Sequence, residues 1–570
     1  MRPARAWRAV LAMAALAFVV AQPAGAQYLG RNKIQYKTFQ FEVMRTAHFD
    51  IYFYPAERAA AGQAARMAER WYARLSRIFA HTLVDRQPLI IYGSHPEFEQ
   101  TNVIEGELGE GTGGVTERFK RRIVLPIGAS LAESDHVIGH ELVHAFQFDI
   151  GTAGIHHLSG GDAAIDHLPL WFLEGLAEYL SIGADDPLTA MWMRDAAAGE
   201  RLPSIHELGK PRYFPYRWGQ AFWAYLTGRY GDDIVGPVFR TAALGGDAEA
   251  AIRVVLGVDL TELSKQWHAA LRENAAVVRR QTRPLTDYGR AIERDPNALS
   301  TYNISPSLSP DGRRLMFLSQ RGLLSIDLFL ADASSGRIVR KVTNTAVDPH
   351  FSSLQTINSA GAWSPDGRRF VLAVVHGGTA HLAVIDADSG RTEQEVPFPA
   401  VGEIFSPSWA PDGRAIVFSA LHDGVTDLFV LDLTTRTTRR LTDDAYADLQ
   451  PVWSPDGRTI AFVTDRYTTH LDDCAPGAYQ IALLDVGTGA IRGVDGAAEG
   501  KNINPQWIAE GELLFVSDRS GVSDIYRVSI ATGRLAQVTD IATGVGGITG
   551  ISPAISYAPK AGRLAFSAYE

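Results

Sequence analysis

The sequence predicts an α+β domain followed by an all-β propeller, and three observations carry that reading. Strand-like and helix-like runs alternate up to about residue 281, one turn motif returns at near-regular intervals from residue 305 onward, and the chain is too long for a single ordinary core. The boundaries that follow are a leader over 1–26, an α+β domain over 27–281, a linker over 282–304 and the propeller over 305–570.

The leader rests on charge and hydropathy. Arg2, Arg5 and Arg8 precede the twelve-residue apolar run Ala9 to Val20, and Ala24-Gly25-Ala26 follows as a cleavage-site pattern before Gln27. Such a run is short for a membrane span, so an exported protein of the periplasm, cell envelope or medium is expected, with no transmembrane helix in the mature chain. No cysteine stands at the cut, which disfavours a lipoprotein.

In the α+β domain, Phe49 to Tyr54 and Leu89 to Gly93 read as strands. Ala56 to His81 carries Met67, Trp71, Leu75 and Ile78 at helical spacing. Thr112 to Gly128 holds a second strand pair, and helices are predicted over Asp135 to Asp149, Pro169 to Ile182, Trp218 to Tyr230 and Leu260 to Arg280. The sheet comes first and the helices after it.

The propeller rests on repetition. Ser309-Pro310-Asp311-Gly312 returns at Ser364, Ala410 and Ser454 after 55, 46 and 44 residues, the length of a four-stranded blade, with weaker copies near Gly511 and Gly562. Each Pro-Asp-Gly turn joins two strands, and Trp363, Trp409, Trp453 and Trp507 precede turns at a fixed offset. Turn formation and blade packing account for these Asp and Trp residues without a ligand. Six repeats predict six blades. The last, Ile551 to Glu570, has residues for two strands only, and Arg283 to Tyr288 could supply another.

Composition narrows the chemistry. A net charge of -10 without a basic block argues against nucleic acid, and the single Cys474 excludes an internal disulfide and Cys-rich zinc sites. His140-Glu141-Leu142-Val143-His144 is an HExxH sequence in a helical apolar pattern. One turn separates the histidines, so both imidazoles project from one face toward one metal ion, with Glu141 beside the open coordination position. The pattern that would use a third histidine is excluded, because Gln147 and Ile150 stand where Gly and His would be needed. His136 shares the face but would close the site as a fourth ligand, so it reads as a neighbour.

Trp171-Phe172-Leu173-Glu174-Gly175-Leu176-Ala177-Glu178 and the HExxH helix together resemble the gluzincin peptidases, specifically the peptidase MA-like group. That resemblance implies a zincin-like fold, one Zn2+ and a peptide or protein substrate. It places the third ligand role on Glu174 of the E-G-x-A sequence. Glu178, one turn on, could hold the spare N–H of a ligand histidine. A tyrosine before a G-x-x-F pattern in the same family points to Tyr216 as a donor to the developing oxyanion, with Tyr213 and Arg217 as rivals. The repeats, in turn, resemble the TolB-like propellers, and Tyr28 to Tyr36 with His48 to Phe53 look like the opening of secreted proteins that join the two parts.

Two functions follow as expectations. One is a zinc peptidase with Glu141 as general base, its propeller controlling access or partner docking without chemistry of its own. The other is an envelope binding or assembly scaffold, in which the propeller recognises an envelope protein and the metal is structural or absent.

Overall fold

The computed structural model describes residues 33–104, 106, 108–118, 120–152, 164–292, 302–321, 325–345 and 353–570. The expected leader lies outside them. Among the described residues no helix is long and apolar enough to cross a membrane.

The N-terminal domain starts with β1 (Glu42–Arg45), β2 (Phe49–Phe53), α1 (Arg58–Phe79), β3 (Gln87–Tyr92), β4 (Val115–Glu117) and β5 (Arg122–Pro126). The sheet order is β1-β2-β3-β5-β4. Its centre is parallel, whereas β1 and β4 run antiparallel at the two edges. The alternate residues Phe49, Ile51 and Phe53 are buried, as a strand with one face on the core requires. Helices then dominate: α2 (Leu131–Thr152), α3 (Leu170–Ile182), α4 (Pro187–Ala198), α5 (Pro215–Tyr230), α6 (Val235–Gly245), α7 (Ala248–Leu256) and α8 (Leu260–Arg279). Sheet-first order is therefore observed, with β1, α4, α6 and α7 beyond the elements read from periodicity. Short amphipathic stretches such as Ala248–Leu256 give too few turns to stand out from loop sequence.

Among the described residues the C-terminal part is a propeller with five four-stranded blades, spanning residues 303–341, 353–397, 403–440, 448–493 and 502–537. This corrects the six-bladed expectation. The last repeat forms only a two-stranded hairpin, Ile555–Ala558 with Arg563–Phe566. It sits between blades five and one: Asn504 Oδ1 accepts from Ala554 N and Ile555 N at 2.8 and 2.7 Å, and Leu308 N donates to Ser556 Oγ at 2.9 Å. Nor does 283–288 provide a strand. Arg283 makes one parallel bridge to Ile541, and Leu285–Asp287 is a 3-10 turn.

The repeated residues build the blades as their types suggest. In the first turn Asp311 Oδ1 accepts from Ser309 Oγ at 2.6 Å and from Arg313 N at 3.1 Å, closing an Asx turn. Indole N–H groups stitch neighbours together: Trp363 donates to Ser307 O at 2.9 Å and Trp409 to Ala362 O at 3.2 Å. Blade two departs from the pattern. Its innermost strand is split into Ser353–Leu354 and Ala362–Trp363, both on the strand Arg369–His376.

The residues between those halves bind the N-terminal domain instead. Thr356 N and Ile357 N donate to Glu110 Oε1 at 2.7 and 2.8 Å, just before β4, and Asn358 Nδ2 donates to Glu133 in the first turn of α2 at 3.1 Å. Blades three and four add three more contacts: Thr426 Oγ1 donates to Ala129 O, His95 N donates to Glu403, and Arg66 Nε donates to Cys474 Sγ. The two parts pack on one continuous apolar core.

Candidate metal centre

Helix α2 carries His140, Glu141 and His144, all buried, against α3 with Glu174. His140 Nε2 and His144 Nε2 are 3.2 Å apart, and each points at Glu174 Oε2, at 3.2 and 3.1 Å. A tetrahedron with bonds of about 2.0 Å has edges of about 3.3 Å, so three donors at these separations match the face a zinc ion would cap. Two imidazoles and a carboxylate are also the donor chemistry zinc takes. The residues present fit the ion.

Each ring is held from behind. Gln147 Oε1 accepts from His144 Nδ1 at 2.9 Å while its amide donates to Leu173 O at 3.0 Å, so one fully buried side chain fixes the tautomer of His144 and ties α2 to α3. His140 Nδ1 lies 3.2 Å from Glu178 Oε1, an ion-pair contact without hydrogen-bond alignment, so Glu178 acts on this ring through its charge. His136 Nε2 stands 3.6 Å from the same oxygen and outside the trio with Glu174, consistent with a neighbour.

Glu141 faces the strand side. Thr116 Oγ1, on β4, contacts Glu141 Oε2 at 2.7 Å and Glu141 O at 2.9 Å, leaving Oε1 for another partner. Sequence reasoning missed Gln147 and Thr116. Gln147 was legible only as the residue that breaks a three-histidine motif, and β4 is three residues long, too short for a strand signal.

Helix α5 brings Tyr216 to the trio, and two glycines permit the approach. A Cβ on Gly175 would lie 2.3 Å from Gly219 Cα, and one on Gly219 2.1 Å from the Trp171 carbonyl oxygen, so α3 and α5 cross with backbones in contact. The Tyr216 ring then stacks on His140, with centroids 5.9 Å apart and 17° between planes. Burial and the neighbouring Glu174 and Glu141 carboxylates push its phenol well above the ordinary range, so it stays a hydroxyl donor. Of the two rivals, Tyr213 packs on Trp218, and Arg217 pairs with Asp186 at 2.8 Å while lying 4.0 Å from Glu178 Oε2.

Electrostatics bind the trio tightly. Burial alone would make His140 less basic, but Glu174 and Glu178 outweigh it and raise its pKa to about 10. His144 is raised by Glu174 against the same opposing burial. Against burial, Glu174 is drawn far below the usual carboxylate range by the two histidines, and Glu178 is drawn to about 2 by His140, His136 and Arg217. Protons on the imidazoles occupy the place of a cation, and a metal must displace them.

A family model described as the TolB beta propeller domain (PD40) matches residues 393–470. No curated protein matches the chain. Among solved structures the chain is similar to TolB from Acinetobacter baumannii, at 22% identity over 42% of this chain and 52% of that one, with a TM-score of 0.32. It therefore spans about half the length of that relative. A putative TolB from Agrobacterium tumefaciens is 18% identical over 47% of this chain and 91% of that one, with a TM-score of 0.35. A puromycin-hydrolyzing peptidase of Mycobacterium tuberculosis is 14% identical over 44% and 38%, with a TM-score of 0.31. The C-terminal part of this chain carries a TolB-like β-propeller domain.

Proposed function

We propose that the protein is an exported zinc-dependent peptidase whose cleft lies between β4, α2, α3 and α5. The observation that carries this reading is the set of three donor atoms, His140 Nε2, His144 Nε2 and Glu174 Oε2, mutually 3.1 to 3.2 Å apart with Glu141 beside them. A zinc ion held there supplies a Lewis acid for a peptide carbonyl and a water of lowered pKa.

The chain's own groups do the rest. Glu141 accepts the proton of the attacking water and passes it to the leaving nitrogen. Thr116, by occupying Oε2, keeps Oε1 turned toward the water. Tyr216 donates its hydroxyl to the oxygen on which negative charge develops. Gln147 and Glu178 hold the two rings against rotation during turnover. Strand β4 ends its sheet among the described residues, and its outer edge next to Glu141 is where an extended peptide would add by backbone hydrogen bonds.

The leader pattern supports export to the envelope or medium. The grip of blade two on Glu110 and Glu133 supports a propeller that steadies the cleft as well as limiting access to it. Digestion of an unbiased peptide library by the zinc-loaded protein tests the reading: cleavage that a chelator stops and zinc restores is expected. Zinc bound at one equivalent with no peptide cut would favour the envelope scaffold.

A further inference from the structure

The propeller carries a second set of metal-type donors. On blade two, His376 closes the strand Arg369–His376, His381 lies on Thr379–Asp386 and Glu395 on Thr392–Pro397. The register pairs Val374 with His381 and Ala383 with Glu395. By the two-residue period, all three side chains therefore continue the row of Phe370, Leu372 and Val374, on the face packed against blade one. We propose that His376, His381 and Glu395 form a second zinc site that ties these three strands together.

Only one of the two imidazole contacts is an aligned hydrogen bond, and both separations lie inside the edge of about 3.3 Å that a zinc tetrahedron has, so the donors spread slightly to admit the ion. Both imidazoles turn Nδ1 to the same carboxylate oxygen: His376 Nδ1 is 3.0 Å and His381 Nδ1 2.7 Å from Glu395 Oε1. His376 is in hydrogen-bonding line with that oxygen. His381 is not. Its Nδ1 is buried and makes no hydrogen bond in spite of its closeness, so a proton on it would have no acceptor in line. A lone pair directed to a shared cation satisfies the same atom. The donor set, two imidazoles and one carboxylate, leaves one position for water. A route for the ion exists on one side, since the His376 side chain is 42% exposed while His381 is 12% exposed.

The site also lies next to a joint between the two parts of the chain. The hairpin after His376 turns through Gly377 and Gly378, and a Cβ on Gly378 would meet Tyr36 at 2.9 Å and Gln100 at 3.2 Å. A cation that fixes the root of this hairpin also fixes the tip that rests on the N-terminal domain.

The test uses the full chain with the helical trio disabled by His140→Ala and Glu174→Ala, so that its outcome is independent of the peptidase reading. After stripping with chelator, dialysis against zinc and removal of excess, this background should retain about one zinc per chain. Adding His376→Ala or His381→Ala should cut retained zinc at least tenfold. Cobalt in place of zinc should give the visible absorption of a four-coordinate site, which the same substitutions abolish. Circular dichroism checks folding, and the exposed His376 is the variant least able to disturb it. A background that holds no zinc, or one whose zinc survives both substitutions, overturns the proposal and leaves the trio as an ion pair.

Discussion

The helical trio of α2 and α3 and the strand trio of blade two offer the same three donor types, yet their surroundings differ. Around His140, His144 and Glu174 stand two further carboxylates, Glu178 behind one ring and Glu141 in front, with Gln147 behind the other ring and Tyr216 above. The single carboxylate of the strand trio is itself one of the donors. Three donors suffice to hold a cation. Hydrolysis also needs a base that is not a ligand, a donor for the oxyanion and rings that cannot turn.

The sharpest way to break this comparison is Glu141→Gln. The amide cannot take a proton from water, so turnover should fall by about 10²- to 10⁴-fold while zinc at the helical trio stays bound. His376→Ala should leave turnover on short peptides near that of the parent protein. Rate and metal content measured on the same samples decide it, and a Glu141→Gln protein with full activity would remove the mechanism.

Tyr216→Phe should cost roughly 10²-fold in kcat, in the range of one lost oxyanion donor, with zinc affinity nearly unchanged. A fall in affinity instead of rate would make Tyr216 a packing residue for the His140 ring.

Gln147→Ala and Glu178→Ala should weaken zinc binding about 10- to 100-fold, because each releases one ring. Their effect should depend on pH. In the metal-free protein His140 is held protonated up to about 10, so zinc must displace protons, and apparent affinity should rise as pH rises. Without Glu178 the His140 pKa drops and that slope should flatten. A slope identical in both proteins would mean that Glu178 does not act on His140.

How much of this was legible follows the range of each interaction. His140 and His144 are one turn apart, so helix geometry alone put them on one face. Glu174 was reached through the E-G-x-A pattern, whose glycine proves to be the contact point with Gly219. The blades were legible because the turn chemistry of Asp311 repeats. Thr116 was not, since its role depends on where β4 ends up across the sheet. His376, His381 and Glu395 carry no local spacing signal either, because strand register brings them together. The break in blade two was hidden for the same reason: residues 356–358 use hydrogen bonds on Glu110 and Glu133, more than 200 residues away.

That break supplies the smallest expected effect, on stability instead of rate. Glu403, buried, and Glu133, half-buried, lie where the propeller meets the N-terminal domain and are pushed up to about 7 by desolvation, and Glu110 is raised by the same cause. Burial lowers His95 beside them, but Glu99, Glu403 and Glu110 outweigh it and raise its pKa. The sign is the same for all four. A folded pKa above the unfolded value means the folded state binds the proton more tightly. For the acids the stabilisation is complete below about 4.5 and is lost as pH rises toward 7. One such acid accounts for at most about 3 kcal/mol, the hydrogen bonds to its ionised form being already included in that shift. The unfolding midpoint should therefore fall by a few degrees between pH 5 and pH 8, and Glu133→Gln, which still accepts from Ala129 N, should reduce that fall. A midpoint that rises over this interval would mean that the grip of blade two on α2 holds ionised carboxylates, and that the propeller steadies the cleft by charge and not by buried neutral contacts.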